Sequence, residues 1–592
     1  MTGTPKPDTL CTHFQRRVVD HADRVAIRTA DGTTSLTWAQ YGRRVREVAA
    51  GLAALGVTRG DTVGIMLTNR PEFHIVDAAA MHLGAVTFSV YNTNAAPQIA
   101  YLFHNAEPSV VITETQFLER VVEAGDGSAA VVVVDAPNGT AGVTTLAELI
   151  AAPAPADFDF DAAYQRVERS DVLTLIYTSG TTGNPKGVEL THANLLYQLE
   201  VITDVIGDLS DGRVISYLPD AHLINRWICQ YAPMYFGITV TDLPDTKQLV
   251  GTLGQVHPTF FVAVPMLWYK IKGSIETTLD AEPGIKGALA TWALAAGKKK
   301  AAATVGGRRL GLRDTIAAAI ADKLVLSKLR AKLGMDSLVA AVSGAAPVDV
   351  AALEFMLALG IPVMEAWGMS ETSAVTTVNP VARPRYGSVG TAIPGTEVTL
   401  ASDGEVMVRG GGVMRGYRND PERTGQTLDA DGWVHTGDIG TLDADGFLTI
   451  VDRKKELIIN SGGKNMSPSN IEGALTAASP LIGSVVAIGD NRPYVSALIT
   501  LDPDAVAAFG QKAGIVDVRP EVLALHPTIL GMIETAVAQA NSRLSRVEHI
   551  RAWQVLPTYW APGGDELTPT MKLKRSPIAK KYADEIDALY QR

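Results

Sequence analysis

At 592 residues, 46% apolar and 19% charged, the chain is long enough for a large core and more than one domain, and its composition is that of a soluble globular protein. Its formal net charge of −11 argues against nucleic acid as the main partner, although a small polyanion would need only a local basic patch. Two cysteines, Cys11 and Cys229, cannot build a disulfide framework and read as ordinary thiols of a cytoplasmic protein. Met1–Leu10 has no basic-then-apolar leader pattern, and no apolar run reaches the roughly 18 residues of a membrane span.

Strand-like and helix-like segments alternate from the start. Arg24–Arg28 reads as a short strand, and Leu36–Leu55 as a helix with Leu36, Tyr41, Val45, Ala49 and Leu52 on one side. Thr62–Leu67 is short and apolar, Glu72–Leu83 is helical, and Ser109–Ile112 and Ala130–Val134 are β-branched runs. Val172–Tyr177, Arg213–Tyr217, Phe260–Val264, Leu338–Ser343 and Ile361–Ala366 follow as further short apolar strands. The pattern predicts an α/β fold, with buried sheets covered by helices. Gly284–Gly334 differs: it is rich in Ala, Leu, Lys and Arg, with Trp292 and the run Lys298-Lys299-Lys300. It reads first as a solvated helical insertion, and alternatively as a basic amphipathic surface for an anionic membrane. After about residue 400 come strands at Glu405–Val408, Phe447–Val451 and Leu457–Ile459. A compact α+β pattern follows: a helix at Ser467–Thr476, strands at Gly483–Ile488 and Val495–Thr500, a helix at His526–Leu544 and a strand at Ala552–Leu556. The expected division is a large domain over 1–454 and a small α+β domain over 455–592.

Thr178-Ser179-Gly180-Thr181-Thr182-Gly183-Asn184-Pro185-Lys186-Gly187 follows the Val172–Tyr177 strand. It packs three glycines, four hydroxyls and one lysine into ten residues. Such a loop brings backbone N–H groups, hydroxyls and an ammonium to phosphate oxygens. It is not a Walker A loop, because its lysine does not directly follow a glycine. A second cluster, Met364-Glu365-Ala366-Trp367-Gly368-Met369-Ser370-Glu371-Thr372, places an aromatic, a hydroxyl and a carboxylate at a strand end, where ligands bind in open α/β sheets. The small-residue turn Ser343-Gly344-Ala345-Ala346-Pro347 ends another strand. Later come Gly432-Trp433-Val434-His435-Thr436-Gly437-Asp438, Asp452-Arg453-Lys454-Lys455-Glu456, Ser461-Gly462-Gly463-Lys464 and Leu567-Thr568-Pro569-Thr570-Met571-Lys572-Leu573-Lys574-Arg575.

Together these runs resemble the adenylate-forming superfamily, and in particular its long-chain fatty acyl-CoA synthetases, over nearly the whole chain. The resemblance implies an ATP/AMP site made by Thr178, Ser179, Gly180, Thr181, Thr182 and Gly183 with Lys186, and by Gly344, Ala345, Ala346, Glu365, Ala366, Trp367, Gly368 and Ser370. Trp367 would lie beside adenine and Ser370 near phosphate. Asp438 would accept from ribose hydroxyls, and Arg453 would touch ribose and phosphate. Glu371 would hold Mg²⁺, a hard cation that suits a carboxylate plus phosphates. Lys572 would reach the reacting carboxylate and α-phosphate, making Lys572, Glu371 and Lys186 the catalytic set. Lys455 would be the hinge about which the small domain turns, and Gly462, Gly463 and Lys464 a loop on the coenzyme A side.

The run Ile215-Ser216-Tyr217-Leu218-Pro219-Asp220-Ala221-His222, with Arg226-Trp227, resembles the long-chain members and implies an acyl site bordered by His222 and gated by Trp227. Asp220 departs from the family's apolar residue, and Met266 from its arginine. The implied activity is ATP-dependent formation of an acyl-adenylate from a medium- to long-chain fatty acid, then transfer to coenzyme A. The partners are fatty acid, ATP, Mg²⁺ and coenzyme A, with weak peripheral membrane contact through the basic insertion and an oligomeric state left open. The alternatives are an acyl-AMP ligase that loads a carrier protein, an aryl or other acid–CoA ligase, and a non-catalytic nucleotide- or lipid-binding protein. The last has no need of Lys572.

Overall fold

The computed structural model describes residues 8–591, apart from 141, 179–183, 282, 345, 460–464 and 569 and the side chains at 280, 281 and 465. Its largest sheet has eight strands, ordered Gly416–Tyr417, Lys186–Thr191, Val172–Thr178, Val86–Ser89, Thr62–Met66, Pro108–Thr113, Ala130–Val133 and Thr144–Thr145. From Val172–Thr178 outward to Thr144–Thr145 the pairing is parallel. At the other side the chain doubles back, and Lys186–Thr191 and Gly416–Tyr417 pair antiparallel. Thr62–Met66 is buried at every position, as a parallel strand covered on both faces should be. The helix Trp38–Ala54 covers this sheet with Tyr41, Val45, Ala49 and Leu52 inward, and Thr37 and Gln40 cap its start reciprocally.

A second sheet carries Phe260–Ala263, Ala340–Ser343 and Val363–Trp367 in parallel, extended by Thr377–Val378 and Thr391–Ala392. A third contains Arg213–Ser216, Thr239–Asp242, Val25–Thr29 and Ser35–Thr37. The antiparallel sheet Thr396–Leu400, Glu405–Gly410, Val434–Leu442 and Leu448–Arg453 follows. Beyond it, Ile482–Ile488, Val495–Leu501 and Ile550–Val555 form a three-stranded sheet with the helices Pro468–Ala478 and Pro527–Asn541. That last unit has its own core, in which Ile471, Leu475, Ile499 and Ile533 are fully buried. The fold is therefore the expected α/β body followed by a small α+β domain.

Segment 284–334 is helical, as expected: Gly284–Val305 and Leu312–Ala321 are α-helices, a π-helical turn spans Asp322–Leu326, and Ser327–Lys332 completes it. Gly297 lets the first helix lie close on the helix Val350–Ala358, since a Cβ there would come within 2.1 Å of the Ala358 carbonyl oxygen. Among the described residues no helix is long and apolar enough to cross a membrane, and both cysteines are free and buried.

Candidate active site

The strand hairpin Val172–Thr178/Lys186–Thr191 puts Thr178 opposite Lys186. The turn between them, Ser179 to Gly183, lies outside the described residues. Lys186 Nζ donates to the hydroxyl of Tyr417 at 2.9 Å and sits 4.3 Å from its ring centroid. Burial lowers the lysine's pKa and the charge of Glu371 opposes this, while Arg423, Lys455 and Arg453 lower it further. Tyr417 in turn donates to Glu371 Oε1 at 2.7 Å. Glu371 lies in the 3₁₀ turn Ser370–Thr372 and is only 5% exposed. Its backbone oxygen accepts from Met414 N at 2.9 Å, and Asn194 Nδ2 holds the carbonyls of Gly411 and Val413. These bonds fix the segment that delivers Tyr417.

Val363–Trp367 ends against the same cleft. Gly368 follows because a Cβ there would come within 2.0 Å of the Ala374 carbonyl oxygen. Trp367 Nε1 donates to Asp438 Oδ2 at 2.8 Å, and Arg453 Nε lies 2.6 Å from Asp438 Oδ1. Asp438 and Arg453 are cross-strand partners of Val434–Leu442 and Leu448–Arg453, so the ladder itself sets their pairing. Oδ1 accepts no hydrogen bond in the correct geometry, although Asp438 is buried. Burial raises the Asp438 pKa, which the Arg453 charge and the Trp367 hydrogen bond counter. Ser343 Oγ, at the end of Ala340–Ser343, is likewise buried without a partner. Ser343 is in register with Glu365, so Gly344 follows beside Ala366, whose carbonyl oxygen lies 4.0 Å from a Cβ built on Gly344. Ala346 is exposed, and Ala345 lies outside the described residues. Ala366 and Ser370 are half-buried at the cleft. Glu365 is turned elsewhere: its Oε2 accepts from Gly387 N at 3.0 Å and Asn379 Nδ2 at 3.3 Å, and burial pushes its pKa up to about 8.

Lys572 comes from the small domain, on a tight turn. Thr568 N donates to the Lys572 carbonyl at 2.8 Å, Lys572 N donates to Thr568 Oγ1 at 3.0 Å, and Met571 takes a left-handed φ of 65°. The side chain is exposed, and Arg453, Asp438, Glu456 and Glu371 lie near enough for their charges to act on its ammonium. Burial lowers its pKa and so does Arg453, while Asp438, Glu456 and Glu371 oppose them. His222 caps the short helix Leu223–Arg226, with Nδ1 accepting from Ile224 N at 3.2 Å. Burial, with the nearby Lys572 charge, drives its pKa down to about 4, so the imidazole is neutral at pH 7.

Trp227 opens a π-helical turn, Trp227–Tyr231, and is 1% exposed with an unpartnered indole N–H. It borders an apolar void of about 20 Å³ shared with Ile202, Ile206, Ile224, Phe260 and Val262. Arg226 beside it is fully buried and pairs with Asp77, Ser89 and Tyr231. Asp220 accepts from Asn225 Nδ2 at 2.7 Å, has its second oxygen unpartnered, and is pushed up to about pKa 7 by burial. Lys455 is exposed in the turn after Arg453, while Gly462, Gly463 and Lys464 lie outside the described residues.

One position in this arrangement, Tyr417, was not singled out from the sequence, and another, Asp452, was named only within its run and without a role. Tyr417 was signalled only by the short run Met414-Arg415-Gly416-Tyr417. Asp452 accepts from Ser467 Oγ at 2.6 Å and Ser469 N at 3.0 Å, anchoring the first helix of the small domain to the last strand of the large one.

The sheet ends thus gather a buried carboxylate tied to a lysine through one phenol and an aromatic–carboxylate–arginine cluster, residue types that suit a phosphate-bearing ligand. The AMP-binding enzyme family model matches residues 14–418, and the AMP-binding enzyme C-terminal domain matches residues 455–592; the chain belongs to this family. It is 46% identical to fadD11 of Mycobacterium tuberculosis over 450 residues, 76% of this chain and 79% of that one. It is 37% identical to the long-chain-fatty-acid–CoA ligase FadD15 of the same organism, over 95% of this chain and 94% of that one. In solved structures the fold is matched by an anthranilate CoA ligase bound to anthranoyl-AMP, with TM-score 0.73, 19% identity and 99% of both chains covered.

Proposed function

We propose that this chain is an AMP-forming fatty acid–CoA ligase for medium- to long-chain acids, with the active site at the cleft shared by Glu371, Asp438, His222 and Lys572. The observation that carries this reading is the link Lys186–Tyr417–Glu371 beside the Trp367–Asp438–Arg453 cluster, which gathers a cation, a buried carboxylate and an aromatic–carboxylate pair in one cleft. The charges of Asp438 and Glu371 also act on Lys572, and that of Lys572 on His222. The names of the relatives support the fatty acid and coenzyme A.

In this reading a carboxylate oxygen of the acid attacks the α-phosphorus of ATP and pyrophosphate leaves. The thiol of coenzyme A then attacks the acyl carbon of the mixed anhydride and AMP leaves. Lys572 offsets charge that builds at the α-phosphate, an effect available only where the donor is already in place. Asp438 Oδ1, ion-paired with Arg453, has lone-pair capacity left to accept from a ribose hydroxyl, Trp367 packs beside the base, and Thr178 and Lys186 flank the phosphates. Neutral His222 borders the carboxyl group without adding charge. Among the described residues no cluster of three metal-ligating side chains exists, so Glu371 fits a Mg²⁺ held mainly by phosphates, which is how this ion is usually bound. Bound there, Mg²⁺ would neutralise phosphate charge.

The division at 454/455 and a hinge at Lys455 belong to the same proposal. Lys572 reaches the cleft from the small domain, and rotation would withdraw it once the adenylate has formed. Weak peripheral membrane contact through 284–334 is also part of it. The test is pyrophosphate release across acids of increasing length and aryl acids, with and without coenzyme A. Release that peaks with medium to long acids, with thioester formed on free coenzyme A, is expected. A peak at an aryl acid, or acyl-AMP that transfers only to a carrier protein, would sink it.

A further inference from the structure

Away from the chain joint at Asp452, two ion pairs tie residues 1–454 to residues 455–592. Among the described residues no other ion pair or side-chain hydrogen bond does so. Arg543 Nη1 lies 2.5 Å from Asp349 Oδ2, and Lys270 Nζ lies 3.1 Å from Asp502 Oδ2. The pairs are reciprocal: the large domain supplies the carboxylate in the first and the cation in the second.

Each carboxylate is fixed within its own domain. Asp349 Oδ1 caps the helix Val350–Ala358, accepting from Ala351 N at 2.7 Å and Ala352 N at 3.3 Å, and its backbone N–H donates to the Tyr269 hydroxyl at 2.9 Å. Asp502 Oδ1 caps the helix Pro503–Ala513 by accepting from Ala505 N at 2.9 Å. In both residues one oxygen serves the cap and Oδ2 is left for the other domain. Tyr269 and Lys270 are neighbours on the helix Pro265–Ala281, so both bridges are mounted on one stretch of the large domain. The cations, by contrast, are long and about half exposed, at 43% for Arg543 and 48% for Lys270. Exposed pairs of this kind are individually weak and are screened by salt. Two of them can hold an orientation and still release it in each turnover.

We infer that Asp349–Arg543 and Lys270–Asp502 form an electrostatic latch that holds the small domain where Lys572 serves adenylation. The four are positioning residues, acting through Lys572, and they set how the enzyme divides its time between the two half-reactions. The inference rests on the proposed rotation about Lys455. Release of the latch frees the small domain to turn and carries Lys572 away from Asp438 and Glu371, whose charges act on it here. With orientations that exchange faster than the chemistry, the ratio of adenylation rate to thioester rate follows the ratio of the two populations.

Single-turnover rates of the full chain are measured for each half-reaction: acyl-AMP from a fatty acid and Mg·ATP, and thioester from supplied acyl-AMP and coenzyme A. Asp349→Asn/Asp502→Asn removes both negative charges and keeps good capping side chains. Lys270→Gln/Arg543→Gln removes both positive charges and touches no cap. Each double variant should lower the ratio of adenylation rate to thioester rate by about three- to tenfold. Added salt should lower the same ratio in wild type and change it less in Lys270→Gln/Arg543→Gln. Lys572→Ala in the same assay tests the underlying reading by itself. Adenylation by Lys572→Ala at the wild-type rate overturns that reading and the latch with it. Loss of adenylation in Lys572→Ala, with Lys270→Gln/Arg543→Gln keeping the wild-type ratio or slowing both half-reactions alike, overturns the latch and leaves the reading standing.

Discussion

The hydroxyl of Tyr417 donates to Glu371 Oε1 at 2.7 Å while it accepts from Lys186 Nζ at 2.9 Å, tying the proposed metal carboxylate to the proposed phosphate lysine. One phenol thus sets the spacing of two charges that would otherwise be free to collapse on each other. Tyr417→Phe keeps the ring and the cation–π contact and removes both hydrogen bonds. Hydrogen bonds to charged groups contribute about 1.5–3 kcal/mol, so the adenylation rate should fall about 10- to 100-fold. The Mg²⁺ titration should move to higher concentration with the fold intact. An unchanged titration would assign Tyr417 to packing alone.

Lys572→Ala should lower acyl-AMP formation by about 10²–10³-fold, the typical loss for one positioned electrostatic group. ATP binding should persist, since Asp438, Trp367 and Lys186 are untouched. Conversion of supplied acyl-AMP and coenzyme A to thioester should also persist, because that step does not need charge at the α-phosphate. Acyl-AMP made at the wild-type rate by the mutant would remove Lys572 from the reaction.

Strand and helix positions were legible because period and punctuation agree along the chain. Val172–Thr178, for example, is an apolar run closed by a glycine-rich loop, and Tyr41–Leu52 shows a clean helical face, whereas Leu36, read as part of that face, lies in the strand Ser35–Thr37 because the Thr37 cap starts the helix at Trp38. The site was legible wherever one short run holds the chemistry, as at Trp367–Glu371 and Asp438. What escaped is what only tertiary contact creates. Tyr417 lies 46 residues beyond Glu371 in sequence, and nothing local to Gly416-Tyr417 shows that an edge strand carries it there. Glu365 sits inside the motif yet is engaged elsewhere, because Gly387 N and Asn379 Nδ2 hold its carboxylate, a contact with a loop that local sequence does not report.

For chain length, the void beside Trp227 is the relevant feature. At about 20 Å³ it is far smaller than the roughly 300 Å³ or more of a usual ligand pocket, so an acyl chain that enters here, as proposed, would have to widen it. Each buried methylene is worth about 0.8 kcal/mol, or about fourfold in kcat/KM, until the widened space is full. Trp227→Ala should raise kcat/KM for the longest acids relative to octanoate. A ratio that does not move would place the acyl chain elsewhere.

Glu365 offers a test by pH that is independent of substrate. Its pKa is raised to about 8 in the fold, against about 4.5 when unfolded, because burial disfavours the carboxylate. Between these values the native state holds a proton that the unfolded state has released. By linkage, the stability this group contributes is fully present below about pH 4.5 and is lost as the pH rises towards 8. Both of its hydrogen-bond donors, Gly387 N and Asn379 Nδ2, meet the same oxygen, Oε2. The amide oxygen of a glutamine can accept both bonds with no charge to bury. Glu365→Gln should therefore match wild type near pH 5 and exceed it in melting temperature by about 2 °C or more near pH 8.5. Adenylation activity at pH 7 should be retained, since the side chain faces the 379–387 loop and not the cleft. Melting curves that run parallel for the two proteins from pH 5 to 8.5 would show that Glu365 is ionised throughout.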